Sequence, residues 1–477
     1  MRAITAEERA RRLGEANLIP LILSMSAPAI AGNLSNALYN IISRMYLGRF
    51  VGRAAMGAMG VIFPLNNLFG TLSVMLTIGG AARVSLTLGG GDREKADRVA
   101  TNILAIAAIA SAVFAAGYFC FADELVALCG ASPTDAVFEP AVQYLRISAF
   151  GMVFQLINQA SACIIRAEGN TMYSMLVSVS GNVMNVVLGA VFIIWLGIGV
   201  RGAALATMLS QLFGMVFSLM YFVRKKSVVR WAGVRAVDIR TMLLVLGTGV
   251  APGIFQGLSF FTNIFINNSI QQYAASLDGG FDLAVSATSV ISSLEGVAIT
   301  LIMGFNTGIA SIISYCYGAK KYRRVMKTAL VGQALASAAT VVIWLLMMFA
   351  PGALFSIFVS GEDTAVLEYG AYAIHRSKMF MFFLGFQTLA SMYYSAIGKP
   401  KRATVISVFR NGMFLIPALL LLPRTLGLDG VLYSTSVSDV CSAVAVAGVY
   451  IWGMAELKRK IRETEPPLGA AERIPAT

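Results

Sequence analysis

"EPAVQYLRISAFGMVFQLINQASACIIRAEGN", residues 139–170, has a counterpart later in the chain, "EYGAYAIHRSKMFMFFLGFQTLASMYYSAIGK", residues 368–399. Glu139 and Glu368 open the two stretches, Gly169 and Gly398 mark their ends, and one and the same offset separates both pairs. Other landmarks keep almost the same spacing. Gly91 and Gly318 each end a long apolar run before a basic stretch, and Gly202 and Gly430 each open the last apolar run of their half. One offset serving nearly the whole chain means two repeats in the same orientation.

Those repeats lie in a chain of 477 residues that is 57% hydrophobic, 13% charged and has a mean hydropathy of +0.74, values foreign to soluble domains. Twelve apolar runs are each long enough to cross a hydrocarbon core of about 30 Å. They are Leu18–Ile42, Ala54–Thr87, Ala100–Phe121, Ala141–Ile165, Met172–Leu196, Gly199–Val223, Thr241–Tyr273, Leu283–Tyr317, Val325–Ala350, Tyr369–Ile397, Ala403–Leu422 and Gly430–Met454. Twofold alternation is absent, and lipid tolerates only helices or closed barrels. The expected fold is an all-α integral membrane protein of twelve transmembrane helices in two pseudo-twofold-related six-helix bundles. Residues 1–17 precede an N-lobe (18–223), a basic linker (224–240) joins it to a C-lobe (241–454), and 455–477 form a tail. Spans two, seven and eight are over-long, so their ends are expected to project or kink.

A net charge of +13 raises nucleic acid as a partner, but its distribution argues against one. The side holding both termini carries 28 lysines and arginines in and near its loops. The other side carries five: Arg44, Arg49, Arg53, Arg201 and Arg424. Such asymmetry places both termini in the cytoplasm. The opening "RARRLGEANLIPLILSMSAPAIAG" mimics a signal peptide, yet its apolar run continues to Ile42, so it reads as the first span. The five cysteines form no CxxC pair, Cys120 and Cys129 being the one conceivable disulfide on the outer side, and no metal-ligand cluster occurs. "LGGGDREKADR" lacks the strand and Lys-Ser/Thr pattern of a phosphate cradle. No nucleophile, base and orienting group converge, so no enzyme and no cofactor are expected. Parallel repeats are instead a transporter device, with two bundles moving about a site near the midplane.

The motifs "ALYNIISRMYLGRFVG", "GVRGAALATMLSQ", "GFNTGIASIISYCYGAKKYRRV" and "SAIGKPKRATVISVFRNGMFLIPALLLLPRTLGLDGVLYSTSVSD", with residues 139–170, resemble the multidrug and toxic-compound extrusion (MATE) family of bacterial secondary transporters. The similarity runs from about Pro20 to Trp452. It implies a V-shaped pair of lobes, a central cavity, and exchange of Na⁺ or H⁺ for bulky, often cationic, amphipathic compounds. Two departures stand out. Where the family has Tyr-Asn-Ile-Val-Asp on span one, this chain has Ser43 in the acidic place, and where it has Leu-Asp-Pro on span five, this chain has Gly189 and Ala190. A Gly-Ala-Gln-Pro pattern becomes Gly308, Ile309, Ala310, Ser311.

Amides stand near those missing acids. Asn33, Asn36 and Asn40 share one face of span one, and Asn182 and Asn185 share a face of span five. The resemblance sets these spans side by side, so with Ser43 they form one expected polar cluster. Its role is either interhelical glue or the remnant of an ion site, and neutral amides exchange no protons.

Ionisable groups inside spans are functional candidates by default. Glu295 is the sole acid of span eight, about 18 Å along it, at a depth that suits a proton carrier. The alternative is a structural partner for His375 or Lys378. His375, Arg376 and Lys378 on span ten either favour an anionic substrate or pair with Glu362, Asp363 or Glu368. Arg410 and Asp439, at similar depths on spans eleven and twelve, read as a charge pair. Arg146 lacks an evident acid, leaving snorkelling or cavity lining open. "KMFMFFLGF", including Phe382, offers side chains that repack around varied ligands or simply face lipid.

The expected function is an inner-membrane exporter of amphipathic, cationic drugs, working as a monomer by alternating access. Its coupling ion is H⁺ or Na⁺, the coupling candidates are Glu295, Asp439 and His375, and Lys378, Phe382 and Arg410 are C-lobe cavity candidates. The competitors are a flippase or exporter of a lipid-linked or anionic amphiphile, and a non-transporting membrane sensor.

Overall fold

A computed structural model describes residues 6–224, 226–273, 280–355 and 364–464. The helices are α1 Ala6–Glu15, α2 Leu18–Tyr46, α3 Arg53–Gly89, α4 Arg93–Cys120, α5 Ala122–Leu128, α6 Phe138–Ala167, α7 Thr171–Gly189 and α8 Val200–Val223 in the first half. In the second half they are α9 Ile239–Tyr273, α10 Gly280–Gly318, α11 Tyr322–Phe349, α12 Pro351–Phe355, α13 Thr364–Ser377, α14 Leu384–Ala396, α15 Pro400–Val408, α16 Ile416–Leu426 and α17 Leu428–Thr464. Short π-helical segments, Leu47–Val51, Ala190–Trp195 and Phe409–Leu415, extend α2 and α7 and join α15 to α16. Among the described residues eleven helices are long and apolar enough to cross a membrane. The expected over-long spans α3, α9 and α10 have 37, 35 and 39 residues; α17, also 37 residues, continues past the expected span end at Met454 to Thr464.

The helix ends are set by local chemistry. Asp92 accepts from Lys95 N (3.0 Å) to cap α4, and Asn170 accepts from Tyr173 N (3.2 Å) to cap α7. Asp238 caps α9, its carboxylate accepting from Arg240 N and Thr241 N at 3.1 Å each. Asp238 lies outside the spans, and these backbone donors, Arg240 N first, hold its carboxyl below the usual carboxylate range.

The expected tenth span, Tyr369–Ile397, is not one helix. It breaks after α13 at Ser377, passes through a 3₁₀ turn at Met381–Phe383 and resumes as α14. Its repeat partner α6 runs unbroken for 30 residues. Backbone groups freed inside a membrane need new partners. Trp344 Nε1 donates to Met379 O (3.0 Å) and Ser436 Oγ to Arg376 O (2.5 Å).

Both described chain ends meet one face of the bundle. Lys321 Nζ donates to Gly14 O (3.3 Å) and Arg324 Nε to Leu13 O (3.2 Å), tying α1 to the start of α11, while Lys460 of α17 donates to Tyr317 OH (2.8 Å) near the end of α10. On this terminal side the halves interlock, α2 against α10 and α3 against α9. Glycines permit the approach. A Cβ on Gly249 would run into the Met75 carbonyl, one on Gly89 into Tyr315 O, and one on Gly318 into Leu86 O. Gly89 and Gly318 are separated by the same offset as Glu139 and Glu368, so the repeat symmetry recurs at the contact.

Candidate transport cavity and buried charge network

Between the halves lies a cavity of about 470 Å³. Its walls come from α2, α3, α6, α7 and α8 on one side and α9, α10 and α14 on the other. That volume suits a drug-sized ligand. Asn33, Asn36, Asn40 and Asn182 line it, with Gln155 and Asn158 from α6.

The expected amide cluster divides in two. Asn182 Nδ2 donates to Asn36 Oδ1 (2.7 Å) and Ser35 Oγ (3.1 Å) at the cavity wall. Deeper in the lobe, Ser43 Oγ donates to Asn185 Oδ1 (3.2 Å), and Asn185 Nδ2 reaches Thr207 and Ser210 at 3.3 and 3.1 Å. Asn40 donates to Asn36 O of its own helix, and Asn33 Nδ2 crosses to Thr300 O of the other half at 3.5 Å. The satisfied side-chain bonds fit an interhelical seam, and neither group contains a carboxylate.

The second half holds a four-membered ion network. Glu295 Oε2 meets Lys378 Nζ at 2.5 Å, Glu295 Oε1 meets Arg410 Nη2 at 3.0 Å, and Arg410 Nε meets Asp439 Oδ1 at 2.7 Å. Two acids and two bases balance. Asp439 is 1% exposed and Lys378 5%, so the charges are compensated as burial requires. The helix break places Lys378 here, and the π-helical turn Phe409–Leu415 carries Arg410, a setting frequent at functional sites. Glu295, Lys378 and Arg410 line a second cavity of about 230 Å³. Arg410 also borders a chamber of about 40 Å³, where Asn306 and Gln387 keep unpaired buried polar atoms.

Several expectations are corrected. His375 does not join the network, because its helix ends two residues later and its ring faces the carbonyls of Ala371 and Met348 at 2.5 and 2.9 Å. Phe382 lines none of these cavities, packing its ring on Phe383 and Trp344 at 4.3 and 5.3 Å between centroids. Arg376 turns from Lys378 to lie 3.4 Å over the Tyr372 ring and 3.6 Å from Asp429; Glu362 and Asp363 lie outside the described residues. Arg146 pairs with Asp123. Cys120 and Cys129 are free thiols.

A polar stripe of the cavity wall escaped the sequence reading. Arg166, near the end of α6, lines the cavity with Gln155, Asn158 and Gln159. Positions 155, 158, 159 and 166 fall on one helical face, and that polar stripe lies inside the stretch quoted first.

A two-lobed helical bundle with a ligand-sized cavity lined by both of its repeats is an integral membrane transporter of the parallel-repeat class. The MatE family model matches residues 28–191 and again 257–420, and both boundaries shift by the repeat offset. The chain belongs to the MatE family. It is 22% identical to the multidrug export protein MepA of Staphylococcus haemolyticus over 441 residues, covering 91% of this chain and 94% of that protein. It is 23% identical to Staphylococcus aureus MepA over 435 residues, covering 90% and 93%. A solved structure described as the outward-facing conformation of a multidrug resistance MATE family transporter shares the fold, with a TM-score of 0.85, 22% identity, and coverage of 94% of this chain and 98% of that one.

Proposed function

We propose that the protein exports amphipathic compounds across the bacterial cytoplasmic membrane by cation-coupled antiport with alternating access. The observation that carries this reading is the cavity of about 470 Å³ walled by both halves, with the halves interlocked through glycines on one side of it. Parting those contacts while the distal ends approach exposes the cavity to each side in turn. The lysine and arginine asymmetry supports a cytoplasmic terminal face, so the interlocked state faces outward. Export by the MepA relatives supports the direction.

Coupling belongs to the second half. The cavity wall of the first half offers amides, hydroxyls and Arg166 but no carboxylate to carry a proton. Glu295 borders a cavity and bonds two cations on other elements. A proton on Glu295 unbalances the network and frees Lys378, changing how α10 is held against the broken span. Flux of ethidium and of taurocholate in proteoliposomes, with imposed pH or Na⁺ gradients, tests this. Export requires that a gradient accelerate at least one of them.

A further inference from the structure

We infer that the central cavity holds an anionic group of its substrate, a carboxylate, sulfonate or phosphate on an amphiphile, against Arg166. This deepens the proposed function and rests on it.

Charge comes first. Among the described residues Arg166 is the one charged side chain lining the cavity, and no carboxylate lines it. The amides around it donate and accept equally, so Arg166 sets the sign. Glu168, two residues on, does not neutralise it. That carboxylate is 1% exposed and accepts from Ser227 Oγ, Val229 N (3.0 Å) and Tyr221 OH (3.1 Å), facing the linker. Arg83 of α3, adjacent to the cavity-lining Ala82, bonds Thr248 Oγ1 (2.7 Å) and forms no ion pair among the described residues. Arg166 is therefore the charge that the cavity wall presents among the described residues.

Valence comes second. Arg166 Nη1 donates to Ser174 Oγ (3.0 Å), while its Nε is buried and makes no hydrogen bond. Asn158 Oδ1, on the same helical face, is buried and unpaired; as an acceptor it suits a hydroxyl or N–H donor of the ligand rather than its anionic group. An uncompensated guanidinium is costly to desolvate, and an oxyanion answers it with charge-assisted, often bidentate, hydrogen bonds. A permanently cationic drug meets no counter-charge here. The repeat underlines the asymmetry, since the position equivalent to Arg166 in the second half is Ser395.

The test is equilibrium binding of taurocholate, a sulfonate amphiphile, and of ethidium to the purified full-length protein in nanodiscs. Arg166→Gln and Arg166→Lys are run beside wild type, and thermal unfolding checks each fold. Wild type is expected to prefer taurocholate, Arg166→Gln to weaken it by about tenfold or more, and Arg166→Lys to keep most of it. Should Arg166→Gln fail to fold, the wild-type preference and its weakening with added salt still decide. Taurocholate binding unchanged in folded Arg166→Gln, or wild type preferring ethidium, overturns the inference. Gradient-driven ethidium flux without taurocholate binding would overturn this site alone and leave the export reading standing; folded protein moving neither compound would sink both.

Discussion

Lys378 reaches Glu295 at 2.5 Å across 83 residues of sequence, from the point where its helix breaks. The break and the ion pair are one arrangement. A continuous helix like α6 would carry its backbone bonds through this position, whereas the interrupted one sets a lysine beside an acid of α10 that Arg410 also binds. Glu295 is thus bound to two cations on separate elements, and the proposed coupling rests on that arrangement.

Removing Glu295 should therefore harm stability as well as coupling. Glu295→Gln leaves Lys378 and part of Arg410 without a counter-charge, an expected loss of about 3 kcal/mol. Adding Lys378→Met removes the orphaned charge and should restore part of it. Unfolding of the two single variants and the double variant measures the coupling; simple additivity would deny the pair any energetic link.

Arg410→Lys keeps the charge and loses the fork that spans Glu295 and Asp439. A point-charge ammonium serves one acid well, so gradient-driven flux should fall about tenfold or more. Wild-type flux in this variant would show that bridging both acids is unimportant.

At the interlocked face, Gly249→Ala directs a methyl at the Met75 carbonyl. The expected cost is about 1–3 kcal/mol in the closed arrangement. Disulfide cross-linking between cysteines placed at Leu86 and Tyr315 should then slow relative to the same cysteine pair with Gly249 intact. An unchanged rate would mean that α3 and α9 need no glycine there.

The cap on α9 gives a pH prediction. Hydrogen bonds from Arg240 N and Thr241 N depress the Asp238 carboxyl, so its contribution is present above the unfolded value of about 3.9 and is lost as pH falls through the lower folded value. Amide exchange in the first turn of α9 should quicken in strong acid. Asp238→Asn should remove that step, and an identical acid profile in the variant would refute the cap.

Much of the fold was legible because lipid makes length and hydropathy decisive and because the repeat offset survives in residues such as Glu139 and Glu368. Arg410 and Asp439 could be paired from depth alone. Depth is one coordinate, however, and rotation about each helix is another. A shared face for His375 and Lys378 on span ten requires an unbroken helix, and α13 ends at Ser377 between them. Arg146 found Asp123 in a short helix outside the spans. Arg166 falls one residue past the expected end of span four at Ile165, where it reads as a loop charge, although its i, i+3, i+4, i+11 stripe sets it on the cavity face.

The central claim is that a cation gradient drives substrate through this cavity by way of Glu295. The direct measurement is gradient-driven flux of taurocholate and ethidium in proteoliposomes, wild type beside Glu295→Gln, with unfolding curves confirming both proteins are folded. The account predicts that a pH or Na⁺ gradient accelerates wild-type flux and that Glu295→Gln abolishes the acceleration. Flux of neither compound responding to any gradient, or a folded Glu295→Gln responding like wild type, would contradict it.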